Sequence, residues 1–381
     1  MKILIAPDKF RESLSSMEAA KSIEKGIKKV NKNIETVLCP IADGGEGTVD
    51  ALVAATSGSY ITCDATGPLG EKINAKYGIL GNNKIAVVEM AAASGLWLVP
   101  KSKRNPLYTT TYGTGDMIKN ALDFGVKKVI VGIGGSSTTD GGMGMAQSIG
   151  IKFYDKKGKE LGYGGVQLEK LFRIDIKNRD PRVADTIFEI ACDVDNPLTG
   201  LKGAAYVYSP QKGANSDEVK KLDKGLKNFA KVIKRDLGKD IENLKGAGAA
   251  GGLGAGLVAF LDAKLRPGMD IVIDTINLRK RMENVDLAIT GEGSTDAQTL
   301  MGKAPTGVIN IAKELNIPVV IISGSIADDR SKLHESGVDA IFSIIPRPIS
   351  LNKSLKNASL FLEKAVEEVV RLFITAKVKY S

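Results

Sequence analysis

The sequence predicts an α/β protein made of two α/β domains with mainly parallel sheets, and three observations support this fold class. Short runs of β-branched residues alternate with longer amphipathic stretches, which is typical of parallel strands covered by helices. The 381 residues are enough for two or three domains. The 42 glycines cluster in short loops that follow the apolar runs. With 43% hydrophobic and 25% charged residues, a disordered or fibrous chain is excluded.

The N-terminal part shows the alternation clearly. A strand is predicted at residues 3–6, a helix over 16–30, a second strand at 35–39 and a helix after Asp43. Ser15 is a good helix N-cap, and Glu18 places an acid in the first turn. This order of elements predicts a parallel sheet.

Between residues 60 and 90 the pattern changes. Three closely spaced strands are predicted at 60–63, 73–77 and 85–89, with turn signals at 67–68 and 81–83, which indicates antiparallel pairing and a new domain. The alternation then resumes, with predicted strands at 127–133, 187–193, 285–290, 318–323 and 340–345 and a final helix over 351–373.

The charge balance favours an anionic partner. Lys and Arg exceed Asp and Glu by 53 to 44, a net charge of +9. The lysines are scattered, without interleaved aromatic residues, so they predict a solvated surface; nucleic-acid binding is an alternative that we do not favour.

Three cysteines without a C-x-x-C pair predict no zinc site. Since no signal peptide and no long apolar run is recognised, we expect a cytoplasmic protein without a membrane partner.

Five loops that carry glycines or acidic residues follow predicted strands. The carboxyl ends of parallel strands meet at one edge of the sheet, where open α/β folds bind ligands. We therefore expect these loops to form the functional site. They are residues 7–9, 43–47, 134–142, 193–196 and 291–296.

The loop at 134–142 is predicted to hold a phosphate or carboxylate. It follows a strand and leads into a helix of small residues, so backbone N–H groups and hydroxyls could surround an anion. No Walker A sequence occurs in the chain. The residues expected to bind are Gly134, Gly135, Ser136, Ser137, Thr138 and Asp140.

A G-x-G-x-x-G pattern at Gly246, Gly248 and Gly251 follows a helix-like stretch, and the context of a dinucleotide site is therefore missing. These glycines would allow either close packing of the next helix or a close approach to the substrate. Both alternatives stay open at this point.

Catalysis by histidine is nearly excluded, because the only histidine is His334, in a polar helix. A general base would then be a carboxylate or a lysine. By location, the candidate carboxylates are Asp8, Asp43, Asp193, Asp195, Glu292 and Asp296. Backbone amides, lysines and carboxylates together suit phosphoryl transfer with a magnesium nucleotide. Trp97 and Cys192 are expected to be packing residues.

At these loops the chain resembles the bacterial glycerate kinases of the glycerate 2-kinase type. The resemblance extends from end to end, since ordered blocks match throughout. They are residues 6–15 (APDKFRESLS), 40–48 (PIADGGEGT), 132–142 (GIGGSSTTDGG), 192–198 (CDVDNPL), 210–214 (PQKGA), 246–254 and 290–305. Lys9, Arg11, Ser137 and Thr139 depart from the residues usual in that family.

The resemblance implies an ATP-dependent kinase that transfers the γ-phosphoryl group to D-glycerate, with Mg²⁺. It also implies a discontinuous domain of residues 1–65 plus 285–381, an inserted domain of residues 66–284, and an active site in the cleft between domains. The expected products are 2-phosphoglycerate and ADP; the alternatives are 3-phosphoglycerate or, less favoured, a hydroxy-acid dehydrogenase. Whether the chain is a monomer or a homo-oligomer is left open.

The residue roles are our inference from chemistry. Asp193 or Asp8 would be the base for the glycerate hydroxyl, and Glu292 and Asp296 would coordinate Mg²⁺. Lys303 is placed with the catalytic residues, where with Lys212 it would neutralise phosphate charge. The remaining predicted phosphate or substrate contacts are Lys9 and Asp43.

Overall fold

A computed structural model describes residues 1–42, 44–45, 47–300, 304–327 and 330–380. The strands are β1 (Lys2–Pro7), β2 (Glu35–Leu38), β3 (Ser59–Thr66), β4 (Lys72–Ile79), β5 (Ile85–Glu89), β6 (Lys128–Gly132), β7 (Lys152–Tyr154), β8 (Arg173–Asp175), β9 (Ile187–Ala191), β10 (Lys264–Arg266), β11 (Leu287–Gly291), β12 (Ser294–Thr295), β13 (Val319–Ser323), β14 (Ser325–Ile326) and β15 (Ala340–Ser343). The α-helices are α1 (Ser16–Val30), α2 (Thr48–Ala55), α3 (Ala91–Ser94), α4 (Tyr112–Phe124), α5 (Met143–Ser148), α6 (Ala204–Tyr208), α7 (Ser216–Leu237), α8 (Ala249–Leu261), α9 (Gly268–Ile276), α10 (Leu278–Arg281), α11 (Ala304–Glu314), α12 (Ser331–Ser336), α13 (Leu351–Lys356) and α14 (Ala358–Tyr380).

The chain divides into two compact units. Unit 1 comprises Met1–Ser57 and Met269–Ser381, and unit 2 comprises Gly58–Gly268. The predicted border at residues 65 and 66 would cut β3. Because β3 pairs with β4 along its whole length, from Ser59 to Thr66, the strand belongs with unit 2.

Unit 1 is built on a five-stranded parallel sheet in the order β15-β13-β11-β1-β2. The interior strand β1, next to the central strand β11, is fully apolar after Lys2, as expected for a strand covered on both faces. The Ser15 hydroxyl accepts a hydrogen bond from the Glu18 N–H at 3.3 Å and completes a capping box, which starts α1 where the sequence predicts. Ile23 and Ile27 of α1 are fully buried in the core of this unit.

The direction of strand addition reverses in the unit 1 sheet. From β1 the chain adds β2 on one side and later adds β11, β13 and β15 on the other. The reversal lies between β1 and β11, where Pro7 aligns with Gly291 at the ends of the two strands. In open α/β sheets ligands bind outside the carboxyl ends of the strands at such a point.

Unit 2 contains a six-stranded mixed sheet in the order β10-β9-β6-β5-β4-β3. The four strands from β10 to β5 are parallel to one another. Strand β4 pairs antiparallel with β5, and β3 pairs antiparallel with β4. The change of pattern predicted at residues 60–90 therefore corresponds to real antiparallel strands. A large apolar core surrounds this sheet, with Phe153, Phe188, Phe229 and Phe260 inside it.

Two predicted elements end differently in the structure. The single helix predicted over 351–373 is divided into α13 and α14 at Asn357, whose side-chain amide donates to the Lys353 carbonyl oxygen at 2.8 Å and so competes with the helical pattern. Strand β9 ends at Ala191, so Asp193 lies in the following loop. Among the described residues, none of the helices combines the length and the apolar character needed to cross a membrane.

Candidate functional site

The ends of β1, β11, β13 and β15 in unit 1 surround a cavity of about 690 Å³. Four residues predicted from two separate sequence blocks line this one cavity: Asp8, Lys9, Glu292 and Asp296. The parallel sheet brings them together, because its strands all end at the same edge. The volume lies within the usual range for a small-molecule site, about 300–1,000 Å³.

The loop after β1 is fixed to the neighbouring strand. The Asp8 N–H donates to the Gly291 carbonyl oxygen at 2.8 Å, and Asp8 Oδ1 accepts from the Lys9 N–H at 2.6 Å. A tight turn follows, in which Glu12 adopts a left-handed backbone with φ of 59°. Non-glycine residues rarely adopt this conformation, and when they do they are often found near functional sites.

Glu292 is nearly buried, with 8% exposure, and is oriented by hydroxyl groups. Its Oε1 atom accepts hydrogen bonds from Thr299 Oγ1 at 2.6 Å and from Thr295 Oγ1 at 3.4 Å. The Asp296 N–H donates to the same Thr299 hydroxyl at 3.1 Å. The loop therefore presents the carboxylates of Glu292 and Asp296 to the cavity, and hydrogen bonds from threonine hydroxyls hold the Glu292 side chain in place.

Two predicted residues of this unit, Asp43 and Lys303, lie outside the described residues. The neighbouring loop is nevertheless close to Lys9. A β-carbon placed on Gly47 would lie 3.9 Å from Lys9 Cδ, so the loops after β1 and β2 approach one another.

In unit 2 the loop after β6 is open at its start and closed at its end. Gly134 and Gly135 are exposed, whereas residues 136–140 are all buried. The Ser137 N–H and hydroxyl both donate to the Ser94 carbonyl oxygen, each at 3.0 Å. Thr138 Oγ1 is buried and has no hydrogen-bond partner within the described part of the chain. The part of the loop that a ligand can reach is therefore the backbone of Gly134 and Gly135.

Asp140 and Lys212 are both buried inside this loop. Asp140 accepts hydrogen bonds from the N–H and hydroxyl of Thr111, both at 2.8 Å, and from the N–H groups of Gly142 and Gly144. Burial raises the pKa of Asp140, and these hydrogen bonds oppose the rise. Both side chains thus support the loop from within.

Lys212 reaches the loop from the segment that precedes α7. Its Nζ donates to Ser136 Oγ at 2.7 Å and to the Thr138 carbonyl oxygen at 2.6 Å. Burial lowers the pKa of Lys212 to about 7, although the nearby Asp140 carboxylate acts in the opposite direction. Its amino group is placed to set the conformation of residues 136–138.

The glycine run at 246–256 is used for packing against this loop. A β-carbon on Gly251, where φ is +69°, would lie 2.0 Å from the Thr138 carbonyl oxygen. A β-carbon on Gly256 would lie 2.5 Å from the Gly141 carbonyl oxygen. Of the two alternatives left open by the sequence, close packing of α8 is the one that the structure supports.

The loop after β9 carries Asp193 and Asp195, both exposed. Asp193 Oδ1 accepts from the Gly268 N–H at 2.9 Å, and Asp195 lies 3.5 Å from Lys245 Nζ. Burial raises the pKa of Cys192, which favours the thiol over the reactive thiolate. This agrees with the prediction that Cys192 is not a nucleophile.

Several residues that line the unit 1 cavity are not among those predicted from the sequence. They are Arg11, Ser294, Ser325, Ile345 and Ile349. The segment at 344–349 could have been found, since it follows a predicted strand that ends at the same sheet edge.

The prediction that Trp97 is a packing residue is wrong: its side chain is 70% exposed. It follows Leu96, whose N–H donates to the Gly135 carbonyl oxygen.

Comparisons with known proteins give one consistent answer. The model of the glycerate kinase family matches residues 3–374. The chain is 49% identical to a glycerate kinase of Halalkalibacterium halodurans, over 96% of this chain and 97% of that protein. It is also 49% identical to the glycerate 2-kinase of Escherichia coli K12, over 94% of each chain. A crystal structure of a protein assigned as glycerate kinase 2, from Salmonella typhimurium LT2, is 46% identical over the whole of both chains and superposes with a TM-score of 0.92. The chain therefore belongs to the glycerate kinase family and is a kinase with an α/β fold of mainly parallel sheets.

Proposed function

We propose that this kinase transfers the γ-phosphoryl group of ATP to O2 of D-glycerate, giving 2-phosphoglycerate and ADP. The observation that carries the proposal is the match with a glycerate 2-kinase, 49% identical over 94% of both chains. The carboxylates and lysine at the unit 1 cavity support it, because phosphoryl transfer depends on positioning and charge stabilisation rather than on covalent catalysis.

The reaction needs one proton acceptor. The glycerate hydroxyl oxygen attacks the γ-phosphorus, its proton passes to a carboxylate, and ADP leaves with the electron pair of the broken P–O bond. Asp8 and Asp193 are the two proposed acceptors. Asp8 is half-buried in the cavity, and Asp193 is exposed at the end of β9. Asp8 has the support of lining the same cavity as Glu292, whereas the exposed Asp193 is open to an incoming substrate.

Phosphate and acceptor oxygens need hydrogen-bond donors and positive charge. We assign Lys9 to the cavity in unit 1. The exposed backbone of Gly134 and Gly135, with Ser136 as a further predicted contact, is assigned to the phosphate or carboxylate in unit 2. Lys212 would act on that loop from behind, through its hydrogen bonds to Ser136 and Thr138. For Ser137, Thr138 and Asp140 a direct contact stays a prediction, and the proposed roles of Asp43 and Lys303 rest on the sequence alone.

Magnesium would be held by Glu292 and Asp296 together with nucleotide phosphates. Both side chains offer carboxylate oxygens to the cavity, which suits a hard cation. Among the described residues, no group of three or more His, Cys, Asp or Glu side chains is arranged to hold a metal. This fits Mg²⁺, which usually takes one or two carboxylates and keeps water and phosphate oxygens. When bound, the ion would neutralise charge on the transferred phosphoryl group.

The proposal is tested by incubating the protein with ATP, Mg²⁺ and D-glycerate, measuring ADP, and identifying the product by phosphorus NMR. ADP formation with 2-phosphoglycerate is the expected result. Formation of 3-phosphoglycerate would keep the kinase and overturn the choice of O2. If folded protein forms no ADP above a control without glycerate, D-glycerate is not the acceptor, and other hydroxy acids would be tested next.

A further inference from the structure

We propose that the unit 1 cavity is the nucleotide site, with the base on the apolar wall formed by Ile345, Ile349 and Leu355 and the phosphates beside Asp8 and Lys9. This inference rests on the proposed function, because it takes ATP as the phosphoryl donor. It places ATP in one cavity and states which end of that cavity holds the base and which end holds the phosphates.

Chemical character changes in order along the edge of the unit 1 sheet. The ends of β1 and β11 contribute charged side chains, with Asp8, Lys9 and Glu292. The short strands β12 and β14, which follow β11 and β13, contribute Ser294 and Ser325, both exposed, whose hydroxyl oxygens are 2.9 Å apart. Beyond the end of β15 the lining residues are apolar except for Ser354.

This sequence of groups matches the parts of a nucleoside triphosphate. The Lys9 ammonium suits the phosphates, and the carboxylates suit a magnesium ion that would be bound with them. Paired hydroxyls suit the ribose, and aliphatic side chains suit the faces of a purine base. Neighbouring strands are about 4.8 Å apart, so three intervals from β1 to β15 span about 14 Å, which an extended nucleotide can bridge. The reversal of strand order between β1 and β11 independently marks this edge as a ligand site.

The acceptor is a poorer occupant of the whole cavity. Glycerate has three carbons, each bearing an oxygen, and thus has no apolar group to place against aliphatic side chains. The apolar end is also built into the fold. Ile344 is 4% exposed, and the Ser13 hydroxyl donates to the Leu355 carbonyl oxygen at 2.8 Å, which joins the turn after β1 to α13. The far wall is therefore a formed surface, next to Leu351, which is 72% exposed at the rim.

The first test labels the unaltered protein. Photolysis with 8-azido-ADP, followed by peptide mapping, should place the label within residues 340–358, and excess ADP should prevent the labelling. A label confined to unit 2, or a label that excess ADP does not reduce, would overturn the assignment. This test needs no substitution, so misfolding of a variant cannot affect it.

The second test changes the apolar wall. Ile349→Asp should raise the KM for ATP at least tenfold and weaken ADP inhibition to the same extent, while kcat changes little and the KM for D-glycerate is unaffected. The matched control is Leu372→Asp, on α14, where the side chain is 65% exposed and does not line the cavity. It should behave as the unaltered protein.

The outcomes separate this inference from the proposed function. If the unaltered protein turns over D-glycerate but Ile349→Asp keeps its KM for ATP, the nucleotide lies elsewhere and the kinase assignment stands. If the substitution raises the KM for D-glycerate instead, the cavity holds the acceptor. If the unaltered protein forms no ADP with D-glycerate but is still labelled at 340–358, the acceptor is wrong and the nucleotide site stands.

Discussion

The strand ends of unit 1 surround an open cavity, whereas the main strand-end loop of unit 2 is filled by the protein itself. In unit 1 Asp8 is half-buried and Ser325 is exposed at a cavity of about 690 Å³. In unit 2 residues 136–140 are buried, and the backbone at Gly251 and Gly256 packs directly against the loop. The loop at 291–296 of unit 1 and the loop at 134–142 of unit 2 both follow a parallel strand, and both are predicted as ligand loops from their glycines and acidic residues.

A glycine after a strand can bare the backbone to a ligand, or it can let another backbone approach. Both uses occur here: a β-carbon on Gly134 would have no atom within 4 Å, whereas a β-carbon on Gly291 would lie 2.0 Å from the Ile322 carbonyl oxygen. Strand order distinguishes the two units: the unit 1 sheet reverses between β1 and β11, whereas the parallel strands of unit 2 follow one another in one direction from β5 to β10. A crevice is expected at the reversal.

The largest effect is expected from removing the general base. Asp8→Asn or Asp193→Asn should lower kcat by roughly 10² to 10⁴ with a modest change of KM, because the amide cannot accept the hydroxyl proton. Steady-state kinetics on both variants decides between the two units. Asp195→Asn is the control, since Asp195 is 3.5 Å from Lys245 Nζ on the same loop as Asp193 and should be nearly silent. Near-normal kcat in both folded variants would exclude both carboxylates.

Packing against the unit 2 loop is tested by Gly251→Ala. Its β-carbon would lie 2.0 Å from the Thr138 carbonyl oxygen, at a φ of +69°. We expect the free energy of unfolding to fall by about 3–5 kcal/mol. Gly238→Ala is a matched control, because φ is +70° but no atom lies within 4 Å, so only a backbone cost of about 1–2 kcal/mol is expected. Equal losses in urea titrations of the two variants would show that the loop is not tightly filled.

The buried lysine should make unit 2 sensitive to pH. The pKa of Lys212 is about 7 in the folded chain, against an ordinary value of 10.5. Between pH 7 and pH 10.5, the lysine is therefore protonated to a smaller extent in the folded chain than in the unfolded chain. The free energy of unfolding should therefore rise with pH in this window. Relative to Lys212→Met, the gain from pH 7 to pH 9 should be about 2 kcal/mol. Urea titrations at pH 7, 8 and 9 measure it, and parallel curves for the two proteins would mean that Lys212 stays charged when buried.

The smallest effect is optical. Trp97 is the single tryptophan, is 70% exposed, and follows Leu96, which is hydrogen-bonded to Gly135. A ligand bound at the backbone of Gly134 and Gly135 should change the fluorescence of Trp97, and Trp97→Phe should abolish the signal without abolishing turnover. If D-glycerate binds by calorimetry and the fluorescence does not change, the acceptor does not contact this loop.

The fold class and the position of most strands could be predicted from the sequence, because β-branched runs and helical spacing are local signals. Helix α1 runs from Ser16 to Val30, as its Ser15 cap and apolar spacing predict. The separation of α13 from α14 was missed, since a single Asn within an amphipathic stretch is a weak signal. The short strands β10, β12 and β14 depend on distant partners and also have weak local patterns.

Only the charged residues of the candidate site could be predicted from the sequence; its apolar residues could not. Asp8 and Glu292 follow strands and carry obvious chemistry, so sequence position alone identifies them. Ile345 and Ile349 look like any apolar residues, and their place on a cavity wall follows from strand order in the folded sheet. The burial of Lys212 depends in the same way on tertiary contacts that no local pattern contains.

The pairing of β1 with β11 also has a consequence for biosynthesis. Ala6 and Thr290, joined by a hydrogen bond from the Thr290 hydroxyl, are 284 positions apart, and Gly58–Gly268 lies between them. During translation, β1 emerges long before its central neighbour exists. Unit 2 can fold within that interval, which brings the two parts of unit 1 closer along the effective chain and lowers the entropy cost of closing the loop. Completion of unit 1, and with it of the cavity, is then the last step of folding.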